Sequence, residues 1–341
     1  MKQKLLSSGQ YGCVYFPGVF CDKKVDTQYI SKLSYYDKYS KNEASIGKKI
    51  SKIENFKEHF IPIEKKCPLD NPDIFKKPCP LLKKKKKYMV LQSRYVPYTS
   101  FNNVIRNSNK IEKIISFLKD ITYKLYLLEQ NSIIHNDLHF ANIMYDTKKE
   151  NLYFIDFGLS LDLKKCLSVD YLKTFIFGYI PNYPWYPIEY YLLSYVISHE
   201  HIKDKTIQWI IENYLKEHVV FSKYNTYRYE YYKKSVREFK SLVKMNKKEQ
   251  ILFLSSYISS WDSYRVGLLF IYYNHLSGLD YPDLNDLLFK MIDPQLKYRL
   301  CSKKLVNQVN DFFIELKTKN LDIKSVTLTK KNNLLTQSIN V

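Results

Sequence analysis

The chain has 341 residues, 45% hydrophobic and 16% aromatic. That is enough apolar side chain to bury a sizeable core, which excludes a disordered or low-complexity protein. No apolar run approaches the ~20 residues of a bilayer span, so a soluble protein with no membrane span is expected. Its 54 Lys and Arg against 34 Asp and Glu leave a net charge of +20 spread along the chain. Such a surface favours nucleic acid, an anionic membrane surface or an acidic protein partner, or is simply well solvated.

The six cysteines (Cys13, Cys21, Cys67, Cys79, Cys166, Cys301) form no C-x-x-C pair, and no secretory leader is read at the start. Free thiols in a reducing, cytoplasmic compartment are therefore expected. Cys67-Pro68 and Cys79-Pro80 have no second Cys or His nearby, which argues against a metal clip.

Residues 5–15, LLSSGQYGCVY, read as a glycine-containing hairpin. Val25–Leu33 reads as a strand carrying Lys32, with Lys23 and Lys24 in the polar turn before it. A helix follows, with apolar positions Ile46, Ile50 and Ile53 and with Glu43 in its first turns. Residues 62–87 read as loop, with prolines at 62, 68, 72, 78 and 80 and then Lys83–Lys87. Consecutive lysines repel one another and stay solvated, so an exposed turn is expected, with an acidic-partner or nuclear-targeting patch as the alternative. Tyr88–Ser93 is a strand, and Ile111–Leu128 carries apolar residues at 111, 114, 115, 118, 121, 125 and 128, a helical stripe.

That helix delivers the chain to Ile133–Ser160, which holds His135-Asn136-Asp137, then Asn142, then Asp156-Phe157-Gly158. Two apolar runs, Ile143–Tyr145 and Leu152–Ile155, flank the polar run Asp146–Asn151 and read as a hairpin. A hairpin of that length brings Asn142 and Asp156 close together and leaves Asp137 on the preceding loop. Phosphoryl transfer needs such a set: a carboxylate to orient and deprotonate a hydroxyl, with an Asn and an Asp to hold Mg²⁺ on phosphates.

This stretch resembles the catalytic loop and metal-binding hairpin of the protein-kinase superfamily, H-x-D-x-x-x-x-N followed by D-F-G. The resemblance implies an α+β, two-lobed fold: a small β-rich N-lobe with one main helix over residues 1–94 and a larger, mostly helical C-lobe over 95–325. It implies ATP and Mg²⁺, with Asp137 as catalytic carboxylate and Asn142 and Asp156 as metal ligands. Lys32, in Tyr-Ile-Ser-Lys, becomes the phosphate-anchoring lysine, paired with Glu43. The hairpin becomes the phosphate-covering one, with Gly9, Gly12 and Val14 in their family positions and Ser7 in place of the first glycine. Arg94–Pro97 becomes the hinge against the adenine.

Three further motifs follow in family order. Pro187-Ile188-Glu189 stands where A-P-E is expected, and Trp261–Gly267 resembles D-x-W-x-x-G through Asp262 and Gly267. Asp293-Pro294 leads to Arg299, which resembles the arginine that pairs with the A-P-E glutamate. The long interval before Asp262 carries helical stripes over Ile207–Val219 and Tyr229–Met245 and reads as an insertion over about 199–255. The last residues, 326–341, lack periodicity and read as a tail.

The chain departs from the family pattern at Ser7, at Asn136 in place of the arginine of H-R-D, and at His139. His139 stands where serine/threonine kinases place a lysine and is counted with the catalytic set. Taken whole, the chain most resembles serine/threonine kinases of large cytoplasmic DNA viruses, with a protein substrate. The D-L-H-x-x-N run also resembles small-molecule phosphotransferases of the aminoglycoside and choline type and haspin-type kinases. A catalytically dead scaffold of the same fold, binding acidic partners, is the remaining alternative.

Overall fold

A computed structural model describes residues 3–9, 12–75, 79–80, 87–108, 110–176, 185–218, 220–277 and 281–318. Lys83–Lys86, residues 177–184 and the tail 326–341 lie outside these residues.

Alternating apolar side chains in the first third build one antiparallel sheet. Strands β1 (Lys4–Gly9) and β2 (Gly12–Phe16) form the hairpin, and a small ribbon, β3 (Gly18–Val19) with β4 (Val25–Asp26), follows. With β5 (Tyr29–Tyr35), β6 (Lys65–Leu69) and β7 (Tyr88–Arg94) the sheet runs in the order β1-β2-β5-β7-β6. Strand β7 is buried on both faces. Tyr88 and Val90 pack with Cys13, Tyr15 and Leu33, while Met89 and Leu91 pack with Ala44 and Ile63 beneath helix α1 (Lys38–Ile50). Asp37 caps that helix, accepting from the N–H groups of Tyr39 and Ser40, while Ser40 Oγ returns a bond to the Asp37 N–H.

Gly12 is required by this packing. Its φ is +148°, and a Cβ there would lie 2.3 Å from the carbonyl oxygen of Leu33 on β5. Close approach of two strand backbones therefore accounts for this glycine.

Three expectations are corrected here. The strand expected over Val25–Leu33 breaks at residues 27–28, where Asp26 accepts from the Gln28 N–H in an Asx turn, and resumes as β5. The stretch 62–87 is not all loop: β6 pairs with β7 even though it contains Pro68, because an edge strand tolerates a missing N–H. Four cysteines are not free. Cys13 is bonded to Cys79 and Cys21 to Cys67, with Cα–Cα separations of 5.7 and 6.3 Å. Partners 66 and 46 residues apart leave no local spacing signature, and sheet formation is what brings them together. Among the described cysteines only Cys166 and Cys301 are free thiols, so the cysteine argument for a reducing compartment loses its premise.

The rest of the chain is mostly helical. Strand β8 (Thr99–Ser100), α2 (Phe101–Arg106) and α3 (Ile111–Gln130) lead to β9 (Ile133–Ile134) and the hairpin β10 (Ile143–Asp146) with β11 (Asn151–Phe154). Strand β12 (Leu161–Asp162) pairs back onto β9, and α4 (Val169–Phe175) and α5 (Ile188–Ser198) follow. The interval read as helical stripes contains α6 (Asp204–Glu217), α7 (Asn225–Phe239) and α8 (Lys247–Ser255). Helices α9 (Trp261–Ser277), α10 (Pro282–Met291) and α11 (Ser302–Thr318) complete the order. Every residue from Trp261 to Ile271 is buried, so α9 is enclosed all round and runs through the core. A Cβ at Gly267 would lie 2.7 Å from that of Met291, which fixes how closely α10 crosses it. Among the described residues no helix is long and apolar enough to cross a membrane.

Helices α6 and α7 join this core through a hydroxyl cluster. Tyr264 Oη lies 2.5 Å from Tyr214 Oη and 3.3 Å from Tyr231 Oη. Beside it His218 is fully buried between Tyr214 and Phe221, its Nδ1 accepting from the N–H groups of Val220 and Phe221. Burial pushes its imidazole down to about 3. The unfolded chain takes up this proton near pH 6.5 and the folded one does not until about 3. The contribution is therefore present above pH 6.5 and is lost as pH falls through that window, by up to ~1.4 kcal/mol per pH unit. His218→Asn, which keeps an acceptor at the Nδ1 position, should flatten the acid limb of urea unfolding between pH 6.5 and 4. An unchanged slope would show that His218 does not titrate in this window.

Candidate active site

Helix α9 holds the loop that carries Asp137. The Asp262 carboxylate accepts from the N–H groups of His135 (2.6 Å) and Asn136 (2.9 Å). Burial raises the Asp262 carboxyl, and His135 and the two N–H bonds oppose that rise. Asn136 adopts φ +59°, a left-handed conformation that Asn tolerates better than most residues, and its Nδ2 donates to the carbonyl of Leu159. Its own carbonyl accepts from Arg265 Nη1 (2.7 Å) and Tyr186 Oη (3.2 Å). The uncharged Asn136 thus ties the loop to the segment beyond Asp156-Phe157-Gly158.

Asp137 meets three side chains. Its Oδ1 lies 3.4 Å from Arg265 Nη2, and its Oδ2 lies 3.4 Å from Asn142 Nδ2 and 3.9 Å from His139 Nε2. Asn142 Nδ2 also donates to the Asp137 carbonyl at 2.8 Å, which leaves the amide oxygen as the atom available to a cation. Burial lowers the His139 imidazole, and Arg265 and His135 lower it further against the opposing pull of Asp137 and Asp156.

Across the cleft, Lys32 Nζ lies 3.0 and 3.2 Å from the Glu43 oxygens and 3.0 Å from Asp156 Oδ1. Burial acts to lower Lys32, but the carboxylates of Asp156 and Glu43 outweigh it and hold the ammonium above its ordinary range. Burial likewise acts to raise Asp156, and Lys32 overrides it and holds the carboxyl below its ordinary range. Glu43 is raised by burial, with the Asp156 charge adding to that and Lys32 opposing it. Asn42, one residue before Glu43, donates to the carbonyls of Gly158 (3.2 Å) and Ser160 (2.8 Å), and Lys49 pairs with Asp162 at 2.7 Å. Helix α1 is thereby bonded to the chain around Asp156 at three places.

The cleft is lined by Lys32, Ser34, Asp37, Tyr39, Ser40, Glu43, Asp137, Asp156, Gly158 and Leu159. Ser7, Gly9, Gly12 and Val14 sit on the β1–β2 hairpin, and none of them is among these lining residues. Ser7 and Gly9 are exposed, and Val14 is the cross-strand partner of Lys32. Arg94 bonds the carbonyls of Lys57 and Phe60, and the Tyr95 N–H bonds the Gln28 carbonyl, so both are engaged within the fold at the expected hinge.

These residues fit a nucleotide with Mg²⁺. The Asp156 side chain is 41% exposed at the cleft and faces a lysine, and Asn142 offers a neutral oxygen. Magnesium prefers oxygen ligands and completes its shell with water and phosphate, so two protein ligands suffice. Among the described residues no cluster of three His, Cys, Asp or Glu suggests a different metal site.

Sequence reasoning missed several members of this site, among them Asn42 and Arg265. The signal for Arg265 is its spacing: three residues after Asp262 on a helix, it shares the face already aimed at the loop. Asn42 carries no comparable signal.

Comparisons with known proteins agree with this geometry. The family model described as protein kinase domain matches residues 2–309. The dual specificity protein kinase zakA of Dictyostelium discoideum is 27% identical over 176 residues, which is 49% of this chain and 20% of that protein. The chain thus spans about a fifth of the length of that curated relative.

Proposed function

The chain belongs to the protein kinase family, and on that premise we propose that it phosphorylates serine or threonine hydroxyls of protein substrates. The observation that carries the reading is the single ammonium of Lys32 shared by Glu43 and Asp156, which joins sheet, helix α1 and the Asp156 segment in one site. Bound ATP with Mg²⁺ supplies the transferable γ-phosphoryl group and neutralises charge on the phosphates. Lys32, held by Glu43, anchors the phosphates, and Asp156 and Asn142 hold the metal. Asp137 orients the acceptor hydroxyl and takes its proton, with His139 Nε2 3.9 Å from its Oδ2. Ser7, Gly9, Gly12 and Val14 cover the phosphates from the hairpin. The lobes divide after Arg94, and the net charge favours acidic acceptor proteins.

Incubating the purified chain with labelled ATP, Mg²⁺ and acidic or basic proteins, beside Asp137→Asn, tests this reading. Label in protein that requires Asp137 is the expected result, and no label above the variant would refute it. The relative is a dual specificity kinase, which adds a second acceptor class, so phosphoamino-acid analysis should separate serine and threonine from tyrosine.

The activation segment should need no phosphate. Asn136 lacks the guanidinium that grips one in the H-R-D pattern. Described parts of the segment are held by packing: Phe175 is buried against Tyr39 and Tyr171, and Tyr186 stacks on Tyr190 at 3.9 Å. The Tyr171 hydroxyl accepts from the Asp162 N–H at 2.7 Å, and Ser168 caps α4 through its Oγ. Phosphatase-treated protein, shown by mass spectrometry to be unmodified over 159–189, should keep its initial rate. A fall of about tenfold or more, restored by rephosphorylation, would show that another cation reads a phosphate there.

A further inference from the structure

The loop from Ile133 to Thr147 contains no lysine or arginine, although it presents a catalytic carboxylate to a polyanionic substrate. Asn136, where a cation could stand, is uncharged. An anionic base beside phosphates is electrostatically costly unless a cation lies close to it. The only guanidinium that the described contacts place on this loop belongs to Arg265, which comes from helix α9.

We propose that Arg265 is a positioning residue for Asp137, supplying from beneath the cation that the loop itself lacks. This rests on the kinase reading above. Arg265 is 2% exposed, and its two terminal nitrogens divide between the Asn136 carbonyl and Asp137 Oδ1. The guanidinium lies 4.6 Å from the centroid of the Tyr186 ring, whose hydroxyl donates to the same carbonyl. One turn earlier on the same face, Asp262 takes the N–H groups of His135 and Asn136. Helix α9 therefore grips three consecutive residues, with an anion on two donors and a cation on two acceptors.

At 3.4 Å the contact to Asp137 is an ion pair more than a short hydrogen bond, and its strength lies in burial and in the rigidity of α9. Engaging Oδ1 sets the rotation of the carboxylate. It leaves Oδ2, on the side of Asn142 and His139, for the acceptor hydroxyl. Because this cation is part of the core, its action requires no phosphate on the activation segment.

Arg265→Met and Arg265→Lys, each shown to be folded at the assay temperature, should be compared for kcat and for nucleotide affinity. A lost electrostatic orientation should lower kcat by about 100-fold in Arg265→Met while nucleotide affinity stays within about threefold. Arg265→Lys should recover at least about tenfold of that loss, since it restores the charge. A kcat for Arg265→Met within about threefold of the parent would overturn the proposal, as would loss of nucleotide affinity in step with kcat. A lysine variant no better than the methionine one would show that the charge is not what matters. If Arg265→Met does not fold, Arg265→Gln gives the same comparison with a polar side chain of similar reach. Parent protein with no transfer above Asp137→Asn would instead refute the kinase reading on which this one rests.

Discussion

Arg299→Ala should destabilise the protein by about 3–5 kcal/mol, because it leaves a carboxylate buried without its partner. Glu189 and Arg299 are both fully buried, with Nη1–Oε1 at 2.5 Å and Nη2–Oε2 at 3.1 Å, a fork-to-fork pair. Arg299 further donates from Nη1 to Ser260 Oγ and from Nε to the Asp293 carbonyl, and it lies 5.0 Å from the Tyr264 ring centroid. Truncation strands Glu189 at the start of α5 and removes the tie between that helix and the turn before α11. Urea unfolding of parent and variant at pH 7 measures the loss. Coincident midpoints would mean that the pair contributes nothing the site cannot replace.

Asp156→Asn should reduce phosphoryl transfer by at least ~1,000-fold while leaving the fold intact, since the group serves charge stabilisation and not packing. Lys32 holds the Asp156 carboxylate ionised against the effect of burial, and 41% of the side chain faces the cleft. The amide keeps the shape but takes away the only anionic oxygen assigned to the metal, so two neutral amides remain. Lys32 then keeps Glu43 alone as its counter-charge, a pair that is already closed at 3.0 Å. Thermal melting should consequently shift little. Turnover near that of the parent, or a variant that fails to fold, would remove Asp156 from the role assigned to it.

Much of the architecture was legible because the signals are local. The helical stripe from Ile111 to Leu128 lies within α3, which extends to Gln130. The two apolar runs after Asn142 are β10, which runs one residue further, and β11, which lies one residue earlier at both ends. Helix α7 begins at Asn225, ahead of the stripe read from Tyr229, because its first turn carries polar residues that periodicity cannot detect. Family motifs carried the reading further than periodicity could. Through them Lys32 was matched to Glu43 across 11 residues and Glu189 to Arg299 across 110.

By itself, then, the sequence determined most of the elements and the chemical identity of the groups its motifs name, since periodicity and motif spacing are properties of neighbouring residues. Tertiary structure alone decided what depends on distant segments sharing space. It pairs Cys13 with Cys79 and Cys21 with Cys67, makes a strand of Lys65–Leu69 by giving it β7 as a partner, and aims Asn42 at Gly158 and Ser160. It also buries His139 enough to lower its imidazole and places Arg265 under Asp137. Burial and cross-chain distance govern each of these, and neither is a function of local sequence.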